Sequence, residues 1–450
     1  MKIHLIAIGG STMHNLAIAL KKKGYEVSGS DDEIFEPSRS RLALHGLLPA
    51  AMGWNPDNIR EDLDAVILGM HARADNPELE KARSISGLKI FSYPEYLYEQ
   101  CKDKKRIVVG GSHGKTTVTA MVMHVLHSSG VDFDYMVGAQ IDGFDTMVHL
   151  SMESKIAVFE GDEYLSSTLD PRPKFHLYHP DIALISGIAW DHINVFPTFE
   201  NYVEQFALFI DLVEPGGTVI YCGDDPVLVD LIKAKQRNIR AIPYYIHPHC
   251  VREGKTWLET ENGPVELLIF GGHNLQNLSG ALQICRELGV NDNRFYAAIG
   301  NFRGAAKRLQ VLAKNERTQI FLDFAHSPSK LKATVKAVRQ QFLSRELVAC
   351  MELHTFSSLS ENFLEQYRDS MAEADAAWVY YNPETVKHKK LAFFDKQTVC
   401  DAFGTPNVEV FTDSEILLQR IHSVDWQDKN LLIMSSGNFD GIDFTKLNII

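Results

Sequence analysis

Short apolar runs alternate with longer segments of helical period along the whole chain. Residues 2–8, 65–68 and 89–91 read as buried strands. So do 107–109, 156–159 and 182–187, and then 320–324, 347–351, 377–381, 408–411 and 431–435. Amphipathic helices lie between them. Residues 13–23 turn Leu16, Ala17 and Leu20 to one side, with Gly24 as the expected C-cap. The segment after Gly114 carries Met121, Val122, Val125 and Leu126. The segment entered at Gly271-Gly272 turns Leu278, Ala281, Leu282, Cys285 and Leu288 inward. Residues 257–270 instead alternate around Asn262-Gly263, which predicts a β-hairpin. Strand–helix alternation predicts an α/β chain of open parallel sheets. The 450 residues suit about three domains, with expected boundaries 1–103, 104–314 and 315–450.

Two strand–turn–helix units carry candidate chemistry. The first is a strand, the turn Gly9-Gly10-Ser11-Thr12, a helix, and a second strand ending at Ser30-Asp31. It has the form of a Rossmann-like opening unit. Ala7 and Thr12 stand where glycines belong in the dinucleotide fingerprint, and Asp31 stands where an acid usually bonds a ribose. A nicotinamide cofactor and a nucleotide diphosphate both fit this geometry. The second unit runs from Arg106 through Gly110-Gly111-Ser112-His113-Gly114-Lys115-Thr116-Thr117. It is a phosphate cradle one residue shorter than the strict pattern, so the central domain is expected to be P-loop ATPase-like. Helix N–H groups and Lys115 would meet phosphate oxygens, and the Thr116 hydroxyl can ligate Mg²⁺.

Two further strands end in polar groups. Glu160-Gly161-Asp162-Glu163 follows one and Trp190-Asp191-His192 the other, and beside a phosphate loop Glu160 and His192 can share metal duty. Asn274 and Asn277 lie three apart at a helix start, where an amide can pair with adenine or cap the helix. Arg303, Lys307 and Arg308 form a basic cluster. Asp323 ends a strand, followed by Ala325-His326 and by Ser327-Pro328 as N-cap and first helical residue. His247-Pro248-His249-Cys250, and His176 with His179, lack a second pair at structural zinc spacing and read as loop features.

Composition narrows the class. A net charge of −13 disfavours nucleic-acid binding. Six cysteines without a Cys-x-x-Cys pair fit reduced thiols, and hence a cytoplasmic protein. No apolar run approaches a membrane span, and the first eight residues are too short for a signal peptide.

The ordered motifs Gly-Ser-His-Gly-Lys-Thr-Thr, Glu160-Gly-Asp-Glu-Tyr, Asp191-His192, Gly272-His-Asn274-x-x-Asn277, Lys307-Arg308-Leu and Asp323-Phe-Ala-His326-x-Pro resemble those of Mur ligases. The N-terminal Gly-Gly-x-x-Met, Ser-Gly-Ser-Asp31 and Ala-Asp-Asn76-Pro-Glu stretches are similar to the branch that binds UDP-N-acetylmuramate directly. The resemblance spans the chain. It implies a Rossmann-like N-terminal domain for the UDP-sugar, a central ATP-binding domain, and a Rossmann-like C-terminal domain for the amine. It also implies a cytoplasmic enzyme of cell-wall synthesis or recycling that uses ATP and Mg²⁺. Lys115, Glu160, His192, Arg308 and His326 would be catalytic. Ser112, His113, Gly114, Lys115, Thr116, Thr117, Asn274, Asn277, Arg308 and Asp323 would hold ATP. Thr116, Glu160 and His192 would bind metal, and Gly9, Gly10, Ser11, Ser30, Asp31 and Asn76 the UDP-sugar.

Phe206 stands where some Mur ligases carry a carbamylated lysine, and the muramate-binding branch also lacks that lysine. Met351-Glu-Leu-His354-Thr replaces an arginine-bearing segment near the amine. Glu163-Tyr164, Phe324-Ala325-His326 and Ser435-Ser436-Gly437-Asn438-Phe439 resemble the branch members that take L-alanyl-γ-D-glutamyl-meso-diaminopimelate. That tripeptide is therefore the expected amine, with L-alanine as the alternative. A nicotinamide-dependent oxidoreductase and a non-catalytic nucleotide switch are the readings from other classes.

Overall fold

The computed structural model describes residues 1–70, 72–190, 195–235 and 239–449. The first sheet has the order β2-β1-β3-β4, built from β1 (Lys2–Ile6), β2 (Glu26–Ser30), β3 (Ala65–Leu68) and β4 (Lys89–Ser92), all parallel. β3 is buried throughout, as its Ala-Val-Ile-Leu sequence requires of a parallel strand covered on both faces. Leu16, Ala17 and Leu20 are buried on the helix Ser11–Lys22. Gly24 closes that helix with a φ of 92°, its amide donating to the Lys21 carbonyl at 3.0 Å.

The second sheet holds β5 (Lys105–Gly110), β6 (Asp134–Met136), β7 (Val148–His149), β8 (Ile156–Glu160), β9 (Ile182–Ile185), β10 (Thr218–Cys222) and β11 (Arg240–Tyr244). Its order is β11-β10-β9-β5-β8-β6-β7, which puts β5 at the centre. The third sheet is the expected hairpin with one strand added: β12 (His249–Arg252), β13 (Lys255–Leu258) and β14 (Val265–Leu267), all antiparallel.

The fourth sheet has the order β15-β16-β20-β17-β18-β19. Its strands are β15 (Gln310–Lys314), β16 (Gln319–Asp323), β17 (Glu346–Leu353), β18 (Ala376–Tyr381), β19 (Val408–Phe411) and β20 (Lys429–Met434). The expectation of a wholly parallel sheet beginning near residue 315 needs correction. β15 precedes that boundary and pairs antiparallel with β16. The Asn315 side chain accepts from the Arg317 and Thr318 amides at 2.8 Å each, a tight turn that returns the chain on itself. β15 is a largely exposed edge strand, so its sequence carries little strand signal. Elsewhere in this sheet both faces are covered. Along β17, Ala349 and Met351 enter one apolar core while Val348 and Cys350 enter the other.

The chain forms two compact units. One comprises Met1–Ile188, Thr198–Tyr245 and Gly280–Ala298; the other comprises Ala189–Pro197, Ile246–Ser279 and Ile299–Ile450. The first therefore carries the first two sheets, and the second carries the hairpin sheet with the fourth. Among the described residues no helix is long and apolar enough to cross a membrane.

Candidate active site

The strand order explains why chemistry gathers at one edge of the second sheet. β5 is flanked by β8 and β9, and the register sets Val109 beside Glu160 and Gly110 beside Ile185. Ligands of open parallel sheets sit beyond such carboxyl ends. Gly111 turns with a φ of 121°, and a Cβ there would lie 2.2 Å from the Ser186 hydroxyl oxygen. The Ser112 amide donates to the Gly187 carbonyl at 3.0 Å, and the Ser186 hydroxyl donates to the His113 carbonyl. The loop is thereby fastened to the end of β9. Gly114, left-handed at φ 73°, starts the helix Lys115–Ser128 with no side-chain cap. Its first turn carries Lys115, Thr116 and Thr117, the arrangement that receives an anion.

The three acids of residues 160–163 each have a distinct partner. Glu160 accepts from the Thr116 hydroxyl at 2.8 Å and from the Gly138 amide at 2.7 Å. Asp162 pairs with Lys174 at 2.6 Å. Glu163 accepts from the Lys115 ammonium at 2.5 Å and from the Tyr202 hydroxyl at 3.1 Å. Lys115 also donates to the Gly111 carbonyl at 2.8 Å. Burial by itself would lower the pKa of this lysine. The charges of Glu163, Asp162 and Glu160 outweigh burial and hold it above its ordinary value. Asp191 and His192 lie outside the described residues.

At the first sheet, Asp31 accepts from the Gly9 amide at 2.7 Å. Burial, reinforced by neighbouring Asp32, pushes its carboxyl up to about 6. Gly10 is the N-cap of the helix that Ser11 opens. Ser30 is buried and donates to Glu78, which also meets His4 and the Asn55 amide. Asn76 caps the helix Pro77–Ser84, accepting from Glu78 and Leu79 amides at 3.0 and 3.2 Å. Of the residues expected at the UDP-sugar, Ser30 and Asn76 thus carry structural bonds, while Gly9, Gly10 and Ser11 form the turn and Asp31, just after β2, accepts from its Gly9 amide.

Asn274, Asn277, Arg308, Asp323 and His326 all fall in the other compact unit. Asn274 and Asn277 are buried in the first turns of the helix Gly272–Glu287, and the Asn274 amide donates back to the Phe270 carbonyl at 2.9 Å. Asp323 accepts from the Leu309 and Ala325 amides at 2.6 and 2.8 Å, fixing the loops on either side of it. The Arg308 guanidinium lies 4.6 Å from the Phe324 ring centroid. His326 donates to the Phe324 carbonyl at 2.8 Å, and the Tyr367 hydroxyl donates to the His326 carbonyl at 2.5 Å. Ser327 stands at the N-cap as expected, without a side-chain cap bond.

Comparison with known proteins identifies the arrangement. Residues 2–105 match the Mur ligase family catalytic domain, 109–285 the Mur ligase middle domain, and 307–437 the Mur ligase glutamate ligase domain. A UDP-N-acetylmuramate–L-alanine ligase of Desulforamulus reducens is 30% identical over 378 residues, covering 81% of this chain and 79% of its own. The chain belongs to the Mur ligase family. Curated relatives from other bacteria, 26–30% identical, carry the same enzyme name. Two solved structures share the fold. The UDP-N-acetylmuramate–alanine ligase of Thermotoga maritima has a TM-score of 0.71 at 21% identity, over 98% of this chain and 96% of that one. The murein peptide ligase of Psychrobacter arcticus has a TM-score of 0.68 at 22% identity, over 98% and 97%.

As a Mur ligase the protein is an ATP-dependent carbon–nitrogen ligase that uses Mg²⁺, so ligation replaces the hydride-transfer and switch readings. The residues present fit Mg²⁺. The Thr116 hydroxyl and Glu160 carboxylate are hard oxygen donors 2.8 Å apart at the cradle's edge, and Mg²⁺ takes one or two protein oxygens beside phosphate and water. Glu163, Tyr202, Gly138 and Lys174 join the site without having been expected there. Glu163 was visible in the Gly-Asp-Glu motif. Tyr202 had no signal, since it lies in the first turn of the helix Phe199–Asp211 and reaches the loop only through tertiary packing.

Proposed function

We propose that this Mur ligase joins the lactyl carboxylate of UDP-N-acetylmuramate to the amino group of L-alanine. The observation that carries the ligase chemistry is the cluster on the second sheet: two bonded pairs, Lys115 with Glu163 and Thr116 with Glu160, at a glycine loop whose Gly111 carbonyl also accepts from Lys115. A carboxylate is a poor acyl donor because oxide is a poor leaving group. One carboxylate oxygen attacks the γ-phosphorus of ATP, ADP leaves, and an acyl phosphate forms. The amine attacks the acyl carbon and phosphate departs with that carboxylate oxygen. Lys115 and the helix N-terminus neutralise charge gathering on the transferred phosphoryl group. Thr116 and Glu160 hold Mg²⁺, which when bound supplies Lewis-acid stabilisation of the phosphate oxygens. Gly9, Gly10 and Ser11 offer a second helix start to the uridine diphosphate. In the second compact unit, Asn274 and Asn277 are the candidates for adenine, Asp323 for the ribose and His326 for the substrate carboxylate.

L-alanine displaces the expected tripeptide as first choice for two reasons. The curated relatives are named alanine ligases. The three features that pointed to the tripeptide also have local structural work. Glu163 binds Lys115, and the Tyr164 ring lies 5.8 Å from the Lys174 ammonium. Phe324 supports Arg308 and His326. Ser435 and the Phe439 amide both donate to Glu352. The tripeptide remains the second reading, supported by the Phe324-Ala325-His326 sequence. A competition decides between them: protein, MgATP, UDP-N-acetylmuramate, and equimolar L-alanine and tripeptide, with products resolved by mass. The expected product is the alanine adduct; a tripeptide adduct alone would reverse the order.

A further inference from the structure

We propose that Glu163 and Tyr202 are positioning residues that hold Lys115 aimed across the phosphate loop until ATP takes its charge. This rests on the loop being the ATP site and not on which amine is used. The bonds form a closed ring. The Ser112 and Tyr202 hydroxyls lie 2.8 Å apart; Tyr202 donates to Glu163 at 3.1 Å; Glu163 receives Lys115 at 2.5 Å; Lys115 returns to the Gly111 carbonyl at 2.8 Å. Each end of the ring is thereby tied to the loop that cradles phosphate. The Glu163 side chain is 1% exposed and the Tyr202 residue 0%, so neither position suits a solvated surface pair.

Glu163 and Glu160 are three residues apart and do different things. Glu160 bonds a hydroxyl and an amide, which leaves its charge for a metal ion. Glu163 bonds the cation of the loop itself. A lysine has a long flexible stem, and its ammonium is useful only where the transferred phosphoryl group will be. Gly111 and Glu163 together fix that stem before nucleotide arrives. ATP must then compete with a buried carboxylate for the same ammonium. The contact therefore weakens ground-state binding while placing the cation where charge develops, a division that favours turnover over affinity.

A structural ion pair and a positioning pair predict different results for Glu163→Gln, which keeps the shape and removes the charge. Calorimetric titration of the full chain with MgATP alone is expected to show ATP bound roughly tenfold more tightly, and phosphate release with all substrates to show kcat lowered about tenfold or more. Unchanged or weaker ATP binding would overturn the proposal. Because the titration needs neither sugar nucleotide nor amine, an error in the amine assignment leaves it readable. If Glu163→Gln does not fold, Tyr202→Phe decides. The ring keeps its packing against Phe206 and loses only the hydroxyl. The expected result is ATP affinity within about threefold of the parent and kcat lowered about threefold to tenfold; an unaltered kcat would overturn the proposal.

Discussion

The molecule opens both of its nucleotide-type sheets with a strand, a glycine turn and a helix, and the two turns are loaded with opposite charge. In the first, a buried acid sits on the turn: Asp31 accepts from the Gly9 amide, and burial pushes its carboxyl up to about 6. In the second, a partly buried cation sits on the turn, with Lys115 bonded to Gly111 and Glu163. The first suits hydroxyl and amide recognition of a nucleotide that is held but not broken. The second suits a phosphoryl group that acquires charge as it moves. Under the proposed function, the side chain that closes each turn divides one local fold between binding and chemistry.

That division is broken most directly at Lys115. Lys115→Ala is expected to lower turnover by roughly 10³-fold or more, through lost stabilisation of the migrating charge. Asp31→Asn, which can still accept from the Gly9 amide, is expected to lower it by about tenfold or less. Steady-state phosphate release measures both, and equal losses would erase the distinction between the two turns.

A smaller effect sharpens the electrostatic half of the comparison. The folded-state pKa of Asp31 lies above its unfolded value, so between about pH 4 and 6 the folded chain holds more protons than the unfolded one. The Asp31 contribution to stability therefore falls as pH rises through that window and is flat above it. Asp31→Asn should remove this slope and make the protein more stable at pH 7. Urea denaturation at pH 4, 5, 6 and 7 reads it; an unchanged slope would mean that the turn leaves Asp31 an ordinary acid.

The smallest expected effect concerns Asn76. Losing its cap on the helix Pro77–Ser84 should cost about 1 kcal/mol in Asn76→Ala and much less in Asn76→Ser, which can still cap. Thermal unfolding reports the stability difference. If both variants lose UDP-sugar binding alike, Asn76 contacts the ligand as well as the helix.

What the sequence revealed follows the range of each interaction. The phosphate loop was readable because strand, glycines, lysine and helix are consecutive from Lys105 to Ser128. The hairpin at Asn262-Gly263 and the Gly24 cap were readable for the same reason. The Lys115–Glu163 and Tyr202–Glu163 bonds join residues 48 and 39 positions apart, and no local spacing encodes them. β15 was missed because an exposed edge strand needs no apolar alternation. Asn76 was singled out as a ligand residue, although Asn-Pro-Glu is also the ordinary signature of a helix start. The amine was the least legible feature, because the motifs that separate the two candidates also hold up the loops around Lys115, Arg308 and Glu352.

The central claim is that the second turn phosphorylates a carboxylate. It is tested by following oxygen. UDP-N-acetylmuramate labelled with ¹⁸O in both carboxylate oxygens is turned over with MgATP and L-alanine, and the released phosphate is analysed by mass. The account predicts one ¹⁸O in each phosphate, carried from the carboxylate through the acyl phosphate. Unlabelled phosphate, with amide product still formed, would contradict it.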